Sequence, residues 1–153
     1  MGHINWKRLI LGGLLCGLVI NAVEFVMNDV LLQNQWADAW RALGRTAAFG
    51  ASEISVLLAW GFLVGIFSVW LYAEIQPHYG ARPITAIIAG LAVWFLGYLL
   101  SAVVPLVTNL FPGRLMLTSL SVGLVEVVAG TMAGAWVYQH VAARGTSAFA
   151  AKA

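Results

Sequence analysis

The sequence predicts an all-α fold: a polytopic membrane protein built as a bundle of four transmembrane helices, with a short interfacial helix between the first and second. Three observations point there. Of 153 residues, 61% are hydrophobic and 9% charged, and mean hydropathy is +0.89, outside the range of water-soluble globular chains. The apolar residues gather in four windows, about 9–30, 54–73, 84–107 and 115–138. At about 1.5 Å per residue each window can cross a hydrocarbon core of about 30 Å. None alternates apolar and polar residues as a barrel strand does, which leaves helices to satisfy the backbone in lipid.

The four windows take up most of the chain, so residues 1–143 are expected to form one transmembrane domain and 144–153 a flexible tail of small residues. Lys7 and Arg8 precede the first window like the start of a signal peptide. The apolar character runs on past Ile20 with no small-residue cleavage site, so the segment is read as a retained first crossing. The single cysteine, Cys16, lies inside it and permits no intrachain disulfide.

Between the first and second windows, Trp36, Trp40, Leu43 and Ala47 recur at helical spacing, with Asp38, Arg41 and Arg45 directed elsewhere. That pattern predicts a helix over about 35–48, resting on the bilayer surface or capping the ends of the long helices. Ser52 and Glu53 suit the start of the second long helix, with an acidic residue in its first turn. The stretch "IQPHYGARP" reads as a stop, turn and restart, with Pro83 in the first turn of the third helix. Pro105, Asn109 and Pro112-Gly113 end that helix before the fourth begins.

An even number of crossings places both termini on one side. Lys7, Arg8, Arg82, Arg144 and Lys152 fall there, against Arg41, Arg45 and Arg114 opposite, so the termini are expected on the cytoplasmic side of the membrane. Each long helix carries small residues four apart: Gly13 and Gly17, Gly61 and Gly65, Ala86 and Gly90, Gly130 and Gly134. Such spacing permits close helix contact, within the chain or with another subunit. The segments "VWLYAEI" and "AWVYQHV" resemble each other and fit either a duplicated hairpin or two uses of the interfacial aromatic belt.

Polar residues within the apolar windows are the functional candidates. Asn21, Glu24 and Asn28 form a stripe on the first helix, and Glu126 lies near the middle of the fourth. A carboxylate at mid-membrane costs on the order of 3 kcal/mol on insertion scales, so these groups are expected to turn away from lipid. Glu53, Tyr98 and Ser101 are candidate neighbours. If Glu24 and Glu126 approach each other, a polar lock, a shared-proton site or an ion site results. His3, His78, His140 and Glu74 fall on the predicted cytoplasmic side. No cofactor is expected; a metal or tetrapyrrole at these histidines is the alternative to simple hydration, although none lies mid-helix at ligand spacing.

The sequence lacks a phosphate-binding glycine loop, an HExxH pattern, a cysteine metal motif and a nucleophile elbow. A net charge of +2 with no basic aromatic patch argues against nucleic acid. Enzymatic activity is therefore not expected.

Within residues 68–99, Leu71-Tyr72-Ala73, Pro77, Tyr79-Gly80 and Thr85-Ala86 form a pattern that resembles a kind of small bacterial four-helix integral membrane protein with no function attached. The resemblance implies an inner-membrane location and transfers no residue role. The expected function is a small accessory or assembly component whose buried glutamates specify packing. It would be surrounded by lipid and would act as a homo-oligomer or as a subunit of a membrane complex. The alternative is a proton- or cation-coupled transporter or channel-like module using Glu24 and Glu126.

Overall fold

The structure, a computed structural model, describes residues 4–46 and 49–140. The expectations placed on His3, Ala47 and the tail lie outside these residues. Five helices follow one another: α1 Trp6–Leu31, α2 Gln33–Ala42, α3 Ala51–Tyr79, α4 Pro83–Val107 and α5 Gly113–His140. There is no strand among the described residues. Helices α1, α3, α4 and α5 are each long and apolar enough to cross a membrane.

Local chemistry explains most helix ends. The Asn5 side chain accepts a hydrogen bond from the amide of Arg8 at 3.2 Å, capping α1 where its first amides lack partners. Over Phe25–Leu31 that helix widens into π-type turns, and the amide of Leu32 closes them on the Met27 carbonyl at 2.7 Å. Helix α2 starts directly after this bend and stops at Ala42, well short of the expected residue 48. Gly44 ends it: at φ +69° the backbone turns left-handed, a conformation that costs glycine little, and its amide bonds the Arg41 carbonyl at 2.9 Å.

Helix α3 corrects the expected stop at Ala73. It runs through Pro77 to Tyr79, so Glu74 and His78 share continuous helix where the proline argued against it. Pro77 falls in the last turn, where its missing N–H forfeits a single bond. Gly80, at φ +82°, makes the actual stop and returns its amide to the Gln76 carbonyl at 2.8 Å. Pro83 opens α4 as expected. Helix α4 also carries a π-type stretch, Phe95–Leu99, before its C-terminal part.

The long helices alternate in direction. Helix α1 packs between α3 and α5, and α4 closes the other side against the same two. The small residues find their partners within the chain. A Cβ placed on Gly65 would lie 2.6 Å from the Gly13 carbonyl oxygen, and one on Gly134 would lie 2.6 Å from the Gly12 carbonyl oxygen. Only glycine lets backbones come that close. Around these crossings lie two buried clusters, one of Cys16, Ile20, Val69, Val93 and Val127, the other of Tyr72, Ala86, Ala89 and Ala135.

Two other expectations change with packing. Tyr72 is fully buried, not a belt residue: its ring meets Tyr138 edge-on at 6.2 Å, and its hydroxyl accepts from Gln139. The likeness of the two aromatic segments thus includes a contact between α3 and α5. Helix α2 folds onto the end of the bundle, where Trp36 and Trp40 meet Phe111 edge-on at 5.5 and 5.4 Å. Its Ala39 is buried in a cluster with Leu32 and Leu115. By contrast, residues 51–60 of α3 are exposed throughout.

Candidate functional site

The polar stripe on α1 divides between two neighbours. Asn21 turns to α3, where its amide donates to the Leu58 carbonyl at 3.3 Å while also bonding the Gly17 carbonyl at 2.9 Å. Gly61 leaves it room, since a Cβ there would lie 2.5 Å from the Asn21 side-chain oxygen. Glu24 and Asn28 turn instead towards α5 and α2. The π-type turns begin at Phe25, directly after Glu24, so the stripe crosses from ordinary to widened helix at the carboxylate.

Glu126 reaches the same place from α5. It is 1% exposed, and its carboxyl lies within hydrogen-bonding reach of that of the half-buried Glu24. From α4, the Tyr98 hydroxyl donates to Oε1 of Glu126 at 3.0 Å. The Tyr98 ring fits there because residue 123 is glycine; a Cβ at that position would lie 2.6 Å from it. Tyr98 belongs to the second π-type stretch, Phe95–Leu99. Residues on both sides of the pair are thus borne by, or adjoin, widened turns, a feature that recurs at functional sites. Four residues before Tyr98, the Trp94 indole donates to the Leu120 carbonyl at 3.0 Å, a second tie between α4 and α5.

A donor chain enters from α2. The Trp36 indole donates to Oδ1 of Asn28 at 2.8 Å, and the Asn28 amide donates to Oε2 of Glu24. An indole N–H can only donate, so it must face the amide oxygen and leave the NH₂ group for the carboxylate. Trp36, Asn28, Glu24, Glu126 and Tyr98 therefore form one polar line through α2, α1, α5 and α4. One atom on it lacks a donor: Oε2 of Glu126 is buried and makes no hydrogen bond to an N–H or O–H group. Alongside, an open groove of about 820 Å³ runs between α1 and α5, lined by Val23, Met27, Val122 and Val125 among others, with Arg114 and Ser121.

The remaining candidates lie elsewhere. Glu53 is exposed at the start of α3, where it accepts from the Ser52 hydroxyl at 2.8 Å. Ser101 is exposed and returns its hydroxyl to the carbonyls of Gly97 and Tyr98, at 2.6 and 2.9 Å. Glu74, His78 and His140 are exposed. His140 stacks on Trp136 with ring centres 4.8 Å apart. Among the described residues no group of three His, Cys, Asp or Glu side chains is placed to hold a metal.

Sequence reasoning missed Trp36 as part of this site and placed it only in the apolar stripe of α2. Its indole N–H was the available signal, because a partly buried tryptophan normally finds an acceptor. The π-type turns left no pattern in residue spacing. Comparison of the chain with protein-family models, with curated proteins and with solved structures finds no match in any of the three.

Proposed function

We propose that the chain is a multi-pass protein of a bacterial inner membrane and acts as a small accessory or assembly component, with Glu24 and Glu126 as the polar lock of its bundle. One observation carries this reading: hydrogen bonds tie α2 to α1 at Trp36–Asn28 and α4 to α5 at Tyr98–Glu126, and the two partly or fully buried carboxyls bring these pairs together. Between helices in lipid, such hydrogen bonds contribute about 0.6 to 2 kcal/mol each, enough to favour one packing over its alternatives. Along the sequence, Lys7, Arg8, Arg82, Arg144 and Lys152 against Arg41, Arg45 and Arg114 favour cytoplasmic termini. On that orientation α2 lies at the opposite interface. The exposed apolar residues Val56, Leu57 and Trp60 of α3 suit contact with lipid or with a second membrane helix.

The second reading is a proton- or cation-coupled transporter. It is favoured by the carboxylate oxygen of Glu126 that has no donor. Glutamine and leucine replacements at both positions separate the two readings, with flux into proteoliposomes measured beside oligomeric state and copurifying protein. A lock keeps fold and assembly in Glu24→Gln and Glu126→Gln, loses both in the leucine variants, and gives no flux in any of them. A wild-type flux that disappears in correctly assembled Gln variants establishes transport and ends the lock reading.

A further inference from the structure

We propose that Glu24 and Glu126 form a binding site for a single proton, held between the two carboxyl groups. The inference rests on the membrane reading above and follows from accounting for every donor around the pair. Tyr98 supplies Oε1 of Glu126, and Asn28 supplies Oε2 of Glu24. Oε2 of Glu126 receives nothing, although it is buried and the neighbouring carboxyl is within reach. A buried acceptor without a donor is unfavourable, and two ionised carboxylates side by side in an apolar interior repel each other. One proton removes both difficulties. The carboxyl that carries it donates to the other, and the single remaining negative charge is shared by two groups that already receive the Tyr98 and Asn28 donors.

No cation performs this task among the described residues, whose one ion pair joins Arg41 to Asp38 on the surface. The titratable and charged groups facing the pair are Asp29 from α1 and Tyr98 from α4, and Arg114 of α5 lines the groove alongside without a salt bridge to either carboxyl. Helix α2 contributes only the exposed Asp38 and Arg41, and the nearest carboxyl of α3, Glu53, is exposed at its N-terminus. None of these groups is placed to neutralise the pair. Glu24 is half-buried where Glu126 is sealed, so Glu24 is the more accessible member of the pair. When the proton leaves to water, two facing carboxylates remain.

The chain has six carboxylic side chains, and the four outside the pair are exposed, so infrared spectroscopy reads the site directly. In lipid nanodiscs at neutral pH, wild-type protein should show the carbonyl band of one protonated carboxyl per chain, shifted by deuterium exchange. The band should vanish in Glu126→Gln and in the double variant Glu24→Gln, Glu126→Gln. It should shift in Tyr98→Phe, which alters the hydrogen bonding of the pair without removing either carboxyl. Absence of the band from folded wild-type protein overturns the proposal, as does an intensity equal to two protonated groups or an unchanged band in Glu126→Gln. A band absent in sodium buffer and present in choline buffer overturns it in favour of a cation site. Proton flux through wild-type proteoliposomes would defeat the packing lock and leave the one-proton site standing, so the two can fail independently.

Discussion

Tyr98 and Glu126 meet across α4 and α5, hydroxyl to carboxylate at 3.0 Å, directly above a glycine that leaves space for the ring. Replacing Tyr98 by Phe keeps the ring and leaves Oε1 of Glu126 without that donor. The bundle should lose about 1 kcal/mol, within the range for hydrogen bonds between membrane helices. Gly123→Ala should disturb the same link by pressing on the ring. Reversible unfolding in mixed micelles should then show the double variant less destabilised than the sum of the two singles, since both act on one contact. Strict additivity would mean that the two changes act on separate contacts.

The crossing of α1 and α3 depends on backbone contact, so Gly65→Leu should be among the most damaging single changes. Any Cβ at Gly65 meets the carbonyl of Gly13, which cannot move without shifting the helix. Overpacking of this kind costs about 1 to 3 kcal/mol. Gly97 provides the control, because a Cβ there meets nothing within 4 Å. Gly97→Ala should leave thermal stability in detergent unchanged or slightly raised; equal losses in the two variants would contradict the observed crossing.

Helix α2 is held partly by the Trp36 indole on Asn28 and partly by its ring against Phe111. Trp36→Phe removes the first and retains an aromatic surface for the second. A lost hydrogen bond of about 1 kcal/mol should raise amide exchange across Gln33–Ala42 by about fivefold, with the cores of α1 and α5 unchanged. Exchange confined to other helices would show that α2 does not depend on this bond.

Cys16 is fully buried between α1, α3 and α5, where Val69 and Gly130 lie against it. A soluble maleimide should leave it unlabelled in the folded protein and modify it completely after denaturation. Labelling of folded protein at the rate of a free thiol would place α1 in a different packing.

Composition and apolar runs made the helical class legible, because four windows without alternation leave few ways to satisfy a backbone. Pro83 and the small residues of each helix were legible for the same local reason: each favours a backbone state or a close approach whatever surrounds it. Helix ends were harder. Pro77 looked like a stop, yet a proline in a final turn removes only one bond, and Gly80 ends the helix three residues later. The aromatic stripe of α2 was visible, but its early end depended on Gly44 turning left-handed.

The sequence by itself determined that Glu24, Asn28 and Glu126 are carried on apolar helices and that glycine allows those helices to come close. Tertiary structure alone decided which groups meet. It sent Asn21 to α3, left Glu53 and Ser101 exposed, and brought Trp36 and Tyr98 to the carboxyl pair. The physical reason is that hydropathy depends on composition along one chain segment. A hydrogen bond between helices depends on their rotation and depth, and here these are set by glycine crossings and widened turns remote in sequence from one another.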